Sequence, residues 1–74
     1  MSHEGVYDFY VGRIESARFY GLFAGDKILD VVRSLAFWDS FLTEDESANI
    51  IKMCNEMHNK MLEDHYNAGW EQNQ

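Results

Sequence analysis

The sequence predicts an all-α fold, a compact domain of three helices over about 5–23, 27–41 and 44–68. Three observations carry this. A capping signal at residues 43–46 opens a long apolar repeat at helical spacing, and a second apolar face follows Gly25. The chain also contains no proline, so nothing removes a donor from a helix interior.

The last helix is the clearest. Thr43-Glu44-Asp45-Glu46 reads as a capping box, a threonine N-cap with a carboxylate three residues on. Three acids in the first turn also suit the positive end of the helix dipole. Ile50, Cys54, Met57, Met61 and Ala68 then recur on one face, widened by Ile51, Met53 and Leu62. Lys52, Asn55, Glu56, Asn59, Lys60, Glu63 and Asn67 fall on the other. Lys52, Glu56, Lys60 and Asp64 form an i,i+4 ladder of alternating sign, the pattern of an exposed face. Asn67 to Gly69 is the expected stop, because glycine accepts the left-handed cap conformation. The tail from Gly69 to Gln74 is then extended or packed by Trp70.

In the middle helix Gly25-Asp26 supplies the expected break and N-cap. Ile28, Val31, Val32, Leu35, Ala36 and Leu42 make the apolar face, Phe37 and Phe41 point away from it, and Trp38 lies on its edge. A helix apolar on two sides is either sandwiched or exposed for a partner.

The first third admits two readings. Tyr7, Tyr10, Val11, Ile14, Ala17 and Leu22 match a helical face. Against this, Phe9-Tyr10-Val11 and Arg18-Phe19-Tyr20 favour strand, and Gly12 and Gly21 each cost a helix interior up to ~1 kcal/mol. The alternative is an α+β chain in which an N-terminal β-hairpin, turning near Glu15-Ser16 without an Asn-Gly or Asp-Gly signal, precedes two helices. The helical reading is preferred.

The 74 residues make room for one small acidic domain over 1–74. Thirteen acids against six bases give a net charge of −7, which repels nucleic acid and anionic lipid. Direct nucleic-acid or membrane binding is therefore not expected. A single cysteine, no basic n-region and no long apolar run point to a reducing, cytoplasmic setting. A short acidic chain of this kind also has the composition of phage or mobile-element accessory proteins.

Cys54 and His58 stand at the i,i+4 spacing of metal ligands, but His65 lies about 10 Å further along the axis. No second Cys or His pair completes a site, so a core role for Cys54 is preferred and no metal or cofactor is expected. His58 and His65 border the apolar stripe, where a half-buried ring is the commoner role than a pH switch. No serine sits in a glycine-flanked elbow and no glycine-rich phosphate loop is present, so catalysis is not expected.

Two features point to partner binding. Aromatic residues make up 15% of the chain, with Phe37, Trp38 and Phe41 clustered at the end of the middle helix and Trp70 beyond the last. Aromatic side chains are efficient interface anchors. Residues 44–74 hold seven acids and two bases. The expected function is a non-enzymatic protein-binding module, an inhibitor or modulator of a larger protein. Phe37, Trp38, Phe41 and Trp70 would anchor it, and Glu44, Asp45, Glu46, Glu56 and Glu63 would steer it. The alternatives are an acidic nucleic-acid mimic occupying the site of a nucleic-acid-binding protein, and a homodimeric or other structural subunit.

Overall fold

The computed structural model describes Glu4–Gln72, with side chains described over residues 5–67. The described chain is helical throughout except for one short turn. Helix α1 spans Glu4–Ala17, a single 3-10 turn covers Arg18–Tyr20, α2 spans Gly21–Trp38 and α3 spans Glu44–Gln72. No strand occurs among the described residues, so the β-hairpin alternative is overturned. Phe9-Tyr10-Val11 is helical because Tyr10, Ile14 and Ala17 share one buried face. That burial outweighs local strand propensity.

The division into helices also differs from expectation. No loop separates α1 from α2, and the two form one continuous helical stretch, sharply bent at the 3-10 turn. The bend falls at Gly21, whose φ of +83° is a conformation that glycine adopts without strain. Its N–H donates to the Arg18 carbonyl and closes the turn. Gly25-Asp26, expected as the break, instead lies inside α2, where Gly25 is buried. A Cβ at Gly25 would stand 2.1 Å from the Ala17 carbonyl oxygen and 2.6 Å from Met61 Cε. This glycine serves close approach of three segments and not a chain reversal.

After the bend, α2 runs back along α1. The Tyr10 hydroxyl donates to Asp39 Oδ2 over 2.6 Å, tying mid-α1 to the far end of α2. Helix α3 returns against both. On its α2 side, Ser47 Oγ donates to the Ala36 carbonyl at 2.8 Å, Arg33 Nη1 donates to Asn55 Oδ1 at 2.7 Å, and Asp26 meets the His58 ring. On its α1 side, Tyr7 meets Asn49, and Arg18 reaches Asp64 at 2.7 Å.

The core draws on all three segments: Tyr10, Ile14 and Ala17 from α1, Leu29, Val32 and Ala36 from α2, Ile50, Cys54 and Met61 from α3, and Leu42 from the turn. Each fully buried Leu, Ile or Val side chain contributes roughly 1.5–3 kcal/mol relative to exposure. The apolar face of α2 is rotated from expectation. It is centred on Gly25, Leu29, Val32 and Ala36, while Val31 and Leu35 stay more than half exposed.

The start of α3 follows the sequence closely. Thr43 N–H donates to Glu46 Oε1 at 3.0 Å and Glu46 N–H donates to Thr43 Oγ1 at 3.1 Å, the reciprocal pair of a capping box. The end does not. The helix continues through Gly69 to Gln72, so the predicted stop at 67–69 and the extended tail are both overturned. A helical glycine there costs up to ~1 kcal/mol but does not itself force a break.

Candidate protein-binding surface

The aromatic residues are mostly outside the core. Among those with described side chains, Tyr10 is buried and Tyr7 is half-buried, whereas Phe9, Phe19, Tyr20, Phe23, Phe37, Trp38, Phe41 and Tyr66 are exposed. The core closes without them, and no buried side-chain polar atom lacks a partner among the described residues.

The best-built part of this surface is the end of α2. Phe37 is 63% exposed and Trp38 79%, and their rings meet edge to face with centroids 5.0 Å apart. Edge-to-face contact is a favourable geometry for a ring pair, and it presents both rings to solvent together. Phe41 stands exposed on the following turn, where its N–H donates to Asp39 Oδ1 at 2.9 Å. The other oxygen of Asp39 accepts the Tyr10 hydroxyl. One carboxylate thus fastens the aromatic turn to α1. Both bonds hold the Asp39 carboxyl below its ordinary pKa of 3.8. Burial, reinforced by the Asp39 hydrogen bond and charge, pushes the Tyr10 phenol up to about 12.

The acidic residues divide. Glu44 and Asp45 are exposed in the first turn of α3, a few residues beyond Phe41. Glu46 is engaged in the capping box. Glu56 and Glu63 are exposed further down α3, about 16 and 27 Å from Asp45 along its axis. Glu56 has Lys52 at 4.0 Å, and Asp64 pairs with Arg18, so the predicted i,i+4 ladder is only partly formed. The aromatic cluster and Glu44–Glu46 are therefore brought together, and Glu56 and Glu63 are not. The Trp70 side chain lies outside the described residues.

A second apolar region runs along the outer side of α1 and α2. Phe9, Tyr10, Ile28, Val31, Val32 and Leu35 line a groove of about 320 Å³, with Arg13 and Lys27 on its rim. Arg13 lies over the Phe9 ring at 5.8 Å. Val31 and Leu35, 57% and 54% exposed, were expected in the core. Their four-residue spacing, continued by Trp38, was the available signal for a second face.

The Cys54–His58 pair does not converge on a shared site. Cys54 is fully buried, which pushes its thiol pKa up, while the His58 ring turns to Asp26. No group of three or more His, Cys, Asp or Glu residues is placed to hold a metal ion among the described residues. No helix among them is long and apolar enough to cross a membrane. In comparisons with known proteins, no family model, no curated protein and no solved structure matches this chain.

Proposed function

We propose that this protein is a non-enzymatic protein-binding module, an inhibitor or modulator of a larger protein. Phe37, Trp38 and Phe41 anchor the contact, and Glu44 and Asp45 steer the approach. The observation that carries the reading is the exposed Phe37–Trp38 pair beside a turn fastened by Asp39. Exposing large rings costs solubility, and a surface of this kind is typical of partner contacts. The non-catalytic part of the reading draws on Cys54, whose buried, raised thiol is a poor nucleophile.

The acids act on rate more than on lifetime, since exposed charge chiefly accelerates encounter. A nucleic-acid mimic draws less support, because Glu46 is committed to the cap and Lys52 accompanies Glu56.

The test is affinity capture from cell lysate with the wild-type chain and with the Phe37→Ala/Phe41→Ala variant, at low and high salt. Wild type is expected to retain one dominant protein at both salts, and the variant to lose it while keeping its helical circular dichroism. Equal capture by both chains removes the aromatic anchor. Capture of a nucleic-acid-binding protein that is released by salt from both chains favours the mimic.

A further inference from the structure

The groove between α1 and α2 has a charged end and an apolar end. Its floor is Tyr10 and Val32, both buried, and its walls include Phe9, Val31 and Leu35, each more than half exposed. Arg13 joins the wall on α1 and Lys27 the wall on α2. Arg13 stands eight residues before the bend at Gly21 and Lys27 six after it, whereas Phe9 stands twelve before and Leu35 fourteen after. Because α2 runs back along α1, both cations sit at the end nearer the bend and the bare apolar walls at the other.

Charge pairing sets these two cations apart. Arg18 is bonded to Asp64, Arg33 to Asp30, and Lys52 has Glu56 at 4.0 Å. Of the six basic side chains, Arg13, Lys27 and Lys60 have no carboxylate partner among the described residues. Two of these three line this one groove, and no carboxylate lines it with them. In a chain of net charge −7 acids are plentiful, and they are placed elsewhere. Arg13 lies over the Phe9 ring at 5.8 Å, and a guanidinium on a ring face still has donors on its edge that match a carboxylate.

We infer that this groove receives an amphipathic helix of a partner protein, whose apolar face ends in one or two carboxylates that lie at the Arg13–Lys27 end. This contact is additional to the one made by Phe37, Trp38 and Phe41, none of which lines the groove. Charge favours such an occupant over a second copy, since two copies meeting through this face would bring like cations together, at a cost. The chain's own acidity also limits the occupant. Acids beyond that one end would meet a net charge of −7, so the helix carries few of them and carries them locally.

Depth favours a helix over a small anionic amphiphile. A drug-sized ligand is usually buried over ~70–90% of its surface, and walls that are themselves more than half exposed, around about 320 Å³, do not enclose one to that degree. A helix laid lengthwise needs no enclosure, because it covers such walls with anchors at i, i+3, i+4 and i+7. From Lys27 to Leu35 the groove runs about 12 Å along α2, a little over two helical turns, which is the span of that anchor set.

Two labelled probe peptides, titrated with the full chain by fluorescence anisotropy, test this. Each is a helix-stabilised peptide of about 14 residues, ~21 Å long, with leucines at i, i+3, i+4 and i+7. One carries a pair of glutamates beside the first leucine, and the other a pair of lysines there. The glutamate peptide is expected to bind about tenfold tighter, and less so at high salt because both cations are exposed. Arg13→Glu/Lys27→Glu is expected to reverse that preference, and Val31→Glu to weaken both peptides. Helical circular dichroism should not change, since all three side chains are exposed. Amide NMR shifts are expected at Phe9, Arg13, Ile28, Val31 and Leu35.

Equal affinity for the two peptides, or a preference that survives Arg13→Glu/Lys27→Glu, overturns the proposal, as does failure of both to bind. Shifts confined to residues 37–41 overturn the site. Dodecanoate that moves the groove amides when neither peptide does makes the occupant a small anionic amphiphile and overturns the protein helix. A mass of twice 8.7 kDa that Val31→Glu returns to one chain assigns the face to a second copy and overturns it equally. The two contacts are separable. Equal affinity for the peptides leaves the aromatic anchor standing, and equal capture by wild type and Phe37→Ala/Phe41→Ala removes that anchor without touching the peptide preference.

Discussion

Helix α2 carries two apolar stripes of similar composition with opposite fates. The inner one, Gly25, Leu29, Val32 and Ala36, is buried. The outer one, Ala24, Ile28, Val31, Leu35 and Trp38, is half-buried to exposed. Apolar content does not distinguish them, since the outer stripe has the larger side chains. The rotation of α2 is set by its polar attachments to α3, at Asp26–His58, Arg33–Asn55 and the Ala36 carbonyl to Ser47. It is set equally by Gly25, whose missing Cβ lets α2 close on Ala17 and Met61. The core is thus chosen by the few positions that permit close approach, and a second stripe is left for other use.

The sharpest way to break that comparison is to shorten one leucine on each stripe. Leu29→Ala is expected to cost about 2–5 kcal/mol, as for fully buried leucines elsewhere. Leu35→Ala is expected to stay within ~0.5 kcal/mol, because that side chain is more than half exposed. Urea unfolding followed by circular dichroism measures both. Equal losses would mean that the outer stripe is covered.

A smaller effect contrasts two glycines. Gly25→Ala forces a Cβ into the Ala17 carbonyl, and overpacking of this kind costs about 1–3 kcal/mol. Gly12→Ala meets open space in an ordinary helical conformation and is expected to stabilise the monomer by about 0.5–1 kcal/mol. Opposite shifts in thermal midpoint are the expected result. A loss at Gly12 would show that the outer face of α1 is already occupied.

The same contrast explains what was legible in the sequence. The capping box at Thr43–Glu46 is a local device whose groups lie within four residues, and it forms as expected. The face of α3 at Ile50, Cys54 and Met61 also holds, because that helix is polar on its other side. On α2 both sides are apolar, so periodicity admits two rotations. The spacing assigns Val31 and Leu35 to the core and misses Leu29, which is fully buried. Gly25 reads as a break because a glycine in sequence does not declare whether it serves a positive φ or a close approach. Here Gly21 does the first and Gly25 the second. Spacing did place Phe37 and Phe41 off the packed face, and both are exposed. The fastening of that end by Tyr10 and Asp39 spans 29 residues and leaves no local trace.

The fastening by Asp39 can be tested by pH on its own. The Tyr10 phenol is raised to about 12 from an ordinary 10.0. Between those values the unfolded chain releases this proton while the folded chain keeps it, so stability falls as pH rises through the interval. Asp39 has the opposite sign. Its carboxyl is held below 3.8, so its contribution is present above that value and is lost as pH falls through the lowered one. Tyr10→Phe removes the hydrogen bond and is expected to cost about 1.5–3 kcal/mol at neutral pH, the range for a bond to a charged acceptor. It should also flatten the alkaline slope, which urea midpoints at pH 9 to 11 would measure. Because Asp39 also holds the Phe41 N–H, Asp39→Ala should loosen the aromatic turn. It should weaken partner capture. A variant that captured the partner as well as wild type would show that this turn does not carry the contact.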